Sequence, residues 1–123
     1  MIVVSASSPL TSLAAIGQLG LLERLYSRVL IPSAVAEELR FGEKLKAHPP
    51  FLAITPWIEV HEVLDHFAVE ELLGRLDLGE AEAIVLAREQ GAGLLLMDEK
   101  PGRKVAAENH LETIGVLGIL LFA

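Results

Sequence analysis

The sequence predicts a single α/β domain built on a parallel sheet with helices on both faces. Short runs rich in Val, Ile and Leu alternate with segments of helical period, the pattern of right-handed βαβ units. Apolar residues make up 52% of the chain and aromatics only 5%, which favours a buried parallel sheet over an aromatic-rich sandwich. A length of 123 residues is enough for one hydrophobic core and too short for two, so residues 1–123 are read as one domain.

Met1 to Ser5 is a β-branched run suited to a strand buried on both faces. Ser8 is the expected N-cap of the next helix, with Pro9 at its first position and an end near Ile16. A second helix covers Leu19 to Tyr26, set off by Gly17 and Gly20. Val29 to Ile31 reads as a second strand, and Pro32-Ser33 opens a helix to about Arg40. Phe41 to Pro50 is polar and ends in two prolines, so it is expected as an exposed loop. Trp57 to Val63 alternates weakly, as an edge strand does. Asp65 caps a helix to Leu73, and Asp77 to Gln90 forms the strongest helical segment, closed by Gly91. Leu94 to Met97 is a buried strand, Gly102 to Asn109 a helix, and Leu111 to Ile114 the last strand.

Several chemistries fall away. With no cysteine there is no disulfide framework, thiolate zinc site or catalytic thiol. The first residues lack a basic signal region, and no apolar run reaches the roughly 18 to 20 residues of a membrane helix, so a cytoplasmic location is expected. Ten basic against 17 acidic residues give a net charge of −7, which excludes a broad basic surface for nucleic acid and leaves only local contacts. His61-Glu62 does not extend to a zinc-protease motif, because position 65 is Asp65. No glycine-rich nucleotide loop and no nucleophile-elbow serine is present.

The carboxylates carry more information. Glu38 shares a helical stripe with Ala34 and Val35, and Glu80 with Ala83, Ile84 and Ala87, so both are expected to point inward, while Glu82 and Glu89 fall on a more polar side. An inward carboxylate is costly unless it is paired or bound to a metal. The bland alternative is a pair of surface acids favoured by the positive ends of helices. Asp98 directly follows the strand Leu94 to Met97, at the carboxyl end where open parallel sheets place their chemistry; its bland role is to cap the turn before Pro101. Three acids meeting there suit Mg²⁺ or Mn²⁺, which take oxygen ligands and activate water for phosphoryl displacement. Arg103 and Lys104 are positioned to hold a phosphate, or else form a solvated charged turn.

Four segments together, VVSASSPL, IPSAVAEEL, LGEAEAIVLA and LLLMDEKPGRKVA, resemble the PIN-domain superfamily, most closely its DUF3368 branch of prokaryotic toxin-like proteins related to VapC. The resemblance implies a three-layer α/β/α fold with a mostly parallel five-stranded sheet, and a Mg²⁺- or Mn²⁺-dependent ribonuclease site of about four acids. It places the second acid on Glu38, the third on Glu80 and the fourth on Asp98, with Glu99 as a substitute, and it matches Ser7 to a small hydroxyl residue beside the site. The first acid, normally an Asp in a pattern like VSDTSPL, is replaced by Ala6. The resemblance further implies an RNA substrate, a homodimer and a small antitoxin partner, with activity impaired by Ala6. It also implies more helices after GVLGILLFA, so that the C-terminus is expected to be truncated relative to the family. A non-catalytic binding or dimerisation module on the same fold is the alternative. A receiver-like signalling domain fits less well, since no Lys follows Leu111 to Ile114.

Overall fold

A computed structural model describes residues 1–122. Its five strands are β1 (Val3–Ser5), β2 (Val29–Pro32), β3 (Ile58–His61), β4 (Leu94–Leu96) and β5 (Thr113–Ile114). The helices are α1 (Ser7–Ala15), α2 (Gly20–Tyr26), α3 (Ser33–Lys44), α4 (His66–Leu72), α5 (Leu78–Gln90), α6 (Lys100–Glu108) and α7 (Val116–Phe122). The strand order is β3-β2-β1-β4-β5 and every pairing is parallel, with Val4 opposite Leu30 on one side and Leu95 on the other.

The two faces of the sheet follow the period-2 alternation of its strands. Val4, Leu30 and Leu95 face α4, α5 and α6 through Val69, Ile84 and Val105. Val3, Val29, Ile31 and Leu96 face α1, α2, α3 and α7 through Leu10, Leu22, Val35 and Ile119. All these side chains are buried, which is why the strands read as continuous apolar runs rather than as alternating ones.

Several boundaries differ from the sequence expectation. α1 starts at Ser7 with Ala6 in the capping position, so Ser8 is not the N-cap and Pro9 lies in the first turn, where its missing N–H has no helical partner to lose. α3 runs on to Lys44, through what the two later prolines suggested was loop. Gly42 is accommodated there because the His48 ring packs where a β-carbon would lie. α6 starts at Lys100 with Pro101 in its first turn, rather than at Gly102. Val116 to Phe122, left without a structure by its short apolar pattern, is helix α7.

Two further expected caps are found. Asp65 Oδ1 accepts from Ala68 N at 3.0 Å, and Gly91 closes α5 at φ 61°, a left-handed conformation that favours glycine. Among the described residues no helix is long and apolar enough to cross a membrane.

The chain winds from β1 outwards to β3, then returns to lay β4 on the other side of β1. The strand order therefore reverses at β1, and a crevice opens beyond the carboxyl ends of β1 and β4. Ala6 follows β1 there, and Met97, Asp98 and Glu99 follow β4.

Candidate functional site

A cleft of about 200 Å³ occupies this crevice, lined by Ala6, Ser7, Ser8, Glu38, Asp77, Glu80, Met97 and Glu99. Each wall has a separate origin. The end of β1 supplies Ala6 and the hydroxyls that open α1. α3 supplies Glu38, the start of α5 supplies Asp77 and Glu80, and the end of β4 supplies Glu99.

Glu38 does not enter the core as its stripe suggested. It is exposed on the cleft wall, its Oε1 accepting a 2.7 Å hydrogen bond from Ser7 Oγ, with its carboxylate against the backbone of Gly79. A helix stripe fixes direction but not depth, and here the missing β-carbon of Gly79 on the neighbouring α5 leaves the room that the Glu38 carboxylate occupies. Glu80 is half-buried and belongs to a capping box. Asp77 Oδ1 accepts from Glu80 N at 2.9 Å, and Glu80 Oε1 accepts from Asp77 N at 3.4 Å.

Partial burial is the main reason both glutamates hold their protons more tightly than usual. For Glu38 the Ser7 hydrogen bond opposes that rise, while Asp77 and Glu82 add to it by repulsion. For Glu80 the negative charges of Asp77 and Glu99 add to it, and the Asp77 backbone hydrogen bond opposes it. Because the folded-state pKa lies above the unfolded one, each group stabilises the fold least at neutral pH and progressively more as pH falls through its raised pKa. Glu38→Gln and Glu80→Gln are therefore expected to raise the melting temperature at pH 7 by roughly 2 to 4 °C, screening at these partly exposed sites keeping the gain small. The gain should vanish below the ordinary carboxylate range. Equal gains at pH 7 and pH 3.5 in a thermal melt would refute the electrostatic origin.

Asp98 lies beside the cleft but not on its wall. Its Oδ1 accepts from Val116 N at 2.7 Å, its Oδ2 lies 3.5 Å from Ser8 Oγ, and a β-carbon at Gly115 would come within 2.7 Å of Oδ1. It caps the start of α7, a variant of the capping role that was its bland reading. Glu99, the expected substitute, is the β4 acid that faces the cleft. Arg103 and Lys104 also part company: the Arg103 guanidinium sits near Gly115, whereas Lys104 lines a separate pocket with Arg75 and Lys100.

The expected close convergence of the acids is not reached. Among the described residues no three His, Asp or Glu side chains are grouped tightly enough to hold one ion. Each carboxylate has its own local partner, Ser7 for Glu38, Asp77 for Glu80 and Val116 for Asp98, and like charges hold them apart. The donor set is nonetheless entirely oxygen, carboxylates with hydroxyls, which fits Mg²⁺ or Mn²⁺ and not a softer metal.

Two acids escaped the sequence reading. Asp77 was legible only as the start of a helix, although its D-x-x-E spacing with Glu80 marks a capping box that brings both carboxylates to one place. Glu82 reaches across to α3, where its Oε1 accepts from Ala34 N at 3.0 Å and supplies the cap that Pro32 cannot. Only the packing of α3 on α5 reveals that pairing.

A search of curated proteins finds no match. A family described as a PIN domain, DUF3368, matches residues 2–123. Its nuclease-like fold accords with the parallel five-stranded sheet, the helices on both faces and the cleft at the strand-order reversal. The chain belongs to the DUF3368 family of PIN domains.

Proposed function

We propose that the chain is the toxin component of a toxin–antitoxin pair, a metal-dependent endoribonuclease whose activity is reduced by Ala6. The observation that carries the reading is the cleft itself, whose walls carry Glu38, Asp77, Glu80 and Glu99 at the carboxyl ends of β1 and β4. Partly desolvated carboxylates that repel one another across one cleft suit a cation better than they suit stability.

On this reading Glu38, Glu80 and Glu99 would hold Mg²⁺ or Mn²⁺, with Asp98 joining if it leaves Val116. Such an ion supplies charge that activates water and stabilises the displaced oxygen of a phosphodiester. Ser7 orients the Glu38 carboxylate. The partners of this reading are RNA, a small antitoxin presenting a basic residue to the cleft, and a second copy met through the exposed Leu117, Leu121 and Phe122 of α7. Sedimentation as a monomer at tens of micromolar would remove the dimer. The site lies in a chain read as cytoplasmic.

Mn²⁺ is expected to bind the chain weakly, detectable by water-proton relaxation, and to lose that site in Glu38→Ala and Glu80→Ala. Glu99→Ala should weaken it more than Asp98→Ala if Asp98 remains on α7. Relaxation unchanged by either glutamate substitution would reject the ion site. It would favour the second reading, a non-catalytic binding or dimerisation module, for which Ala6 in place of the first acid is the specific observation.

A further inference from the structure

The cations of this acidic chain are not evenly spread. Arg75, Lys100 and Lys104, with Pro101 and Val105, line a pocket of about 390 Å³. It adjoins the acidic cleft at two places in the chain: Lys100 follows Glu99, and Arg75 lies two residues before Asp77.

The three cations differ in how they are held. Arg75 is engaged in an exposed two-point ion pair, its Nη1 and Nη2 donating to the Glu108 carboxylate oxygens at 2.7 and 2.9 Å. That guanidinium and Lys104 keep the Glu108 carboxyl below its usual pKa, so the acid stays charged and the arginine stays oriented. Lys100 and Lys104 form no ion pair among the described residues. They stand four residues apart on α6, on one helix face, where like charges repel unless an anion comes between them.

We propose that this pocket holds the sugar-phosphate backbone of a single-stranded RNA beside the cleft, with Lys100 and Lys104 on its phosphates. The assignment rests on the nuclease reading above. It also meets a difficulty which that reading leaves open, since a chain of net charge −7 with an acidic cleft repels RNA unless local cations hold the strand. Two exposed lysines, one of them already near the Glu108 carboxylate, and an arginine paired with that acid imply few phosphate contacts, hence weak binding with a shallow salt dependence.

Binding is tested on the chain as it stands, in EDTA, by fluorescence anisotropy of a short labelled single-stranded RNA across a salt series. Each lost lysine contact should flatten the slope of log K against log salt by about 0.7, and Lys100→Gln with Lys104→Gln should weaken binding at low salt by roughly tenfold. Lys44→Gln with Lys46→Gln removes the same charge elsewhere and should leave the RNA affinity within about twofold. Equal losses in both double variants, or none in the first, would overturn the pocket. So would inorganic pyrophosphate bound as tightly as the RNA, which assigns a small anion, or a preference for DNA of the same sequence. Because EDTA removes any divalent ion, failure here is separable from failure of the nuclease reading, which is judged by Mn²⁺ binding to the cleft.

Discussion

Ala6→Asp is expected to tighten Mn²⁺ binding by at least about tenfold and to bring EDTA-sensitive RNA cleavage above the parent level by roughly two to four orders of magnitude. The backbone is ready for the change. Position 6 is extended, at φ −76° and ψ 176°, and its N–H donates to Leu96 O at 3.0 Å, a bond indifferent to the side chain. Ala6 is buried among the core residues at the floor of the cleft, so an added carboxylate enters beside Glu38 and Glu80 but is partly desolvated until a cation joins it. The residue also caps α1, which has no side-chain cap at present, and aspartate is favoured there by about 1 kcal/mol over alanine. That gain offsets only part of the desolvation and of the repulsion from the carboxylates already in the cleft, so the apo variant should fold with a melting temperature below the parent's and recover it when Mn²⁺ is added. Folded Ala6→Asp protein that binds Mn²⁺ no better and leaves every tested RNA intact would reject the nuclease reading. The same experiment separates an impaired nuclease from a non-catalytic module on the same fold, because a site kept in working order by its remaining acids should respond to one ligand and a decayed one should not.

The fold was largely legible because its signals are local. β-branched runs, the Asp65 cap and Gly91 each act within a few residues, and the elements they mark lie where the sequence placed them, although β3 and β5 are shorter than expected. What stayed hidden depends on partners distant in the chain. The continuation of α3 through Gly42 needs the His48 ring, and the cap of α3 comes from Glu82 on another helix. Residues of the site were similarly readable by type and position but not by engagement. Nothing near Asp98 in the sequence shows that the amide of Val116 takes its carboxylate, leaving Glu99 to face the cleft. Helical periodicity gave the correct face for Glu38, yet the depth of that side chain depends on how α3 packs on α5 at Gly79, a tertiary quantity with no sequence period.

Gly79→Ala is expected to leave the fold intact and to weaken Mn²⁺ binding by about 10- to 100-fold, with a matching loss of cleavage in the Ala6→Asp background. Gly79 is buried in the first turn of α5, and a β-carbon there would run into the Glu38 carboxylate, contacting its Cδ at 2.9 Å and Oε2 at 3.1 Å. The obstacle is the end of a flexible, exposed side chain rather than backbone, so Glu38 is the part that yields. Its displacement breaks the 2.7 Å bond from Ser7 and moves the carboxylate out of its place on the cleft wall. Stability should run the other way. Alanine is the better helix former by up to about 1 kcal/mol, less near a helix end, and moving Glu38 into water relieves the desolvation that raises its pKa. The melting temperature is thus expected to hold or rise by a few degrees while ion binding falls, a combination that simple unfolding cannot produce. Unchanged Mn²⁺ affinity in a folded Gly79→Ala protein would show that Glu38 is not a ligand. A lower melting temperature with parallel loss of binding would instead mean that α3 itself had been pushed off α5, and that the glycine serves helix packing rather than the placement of a carboxylate.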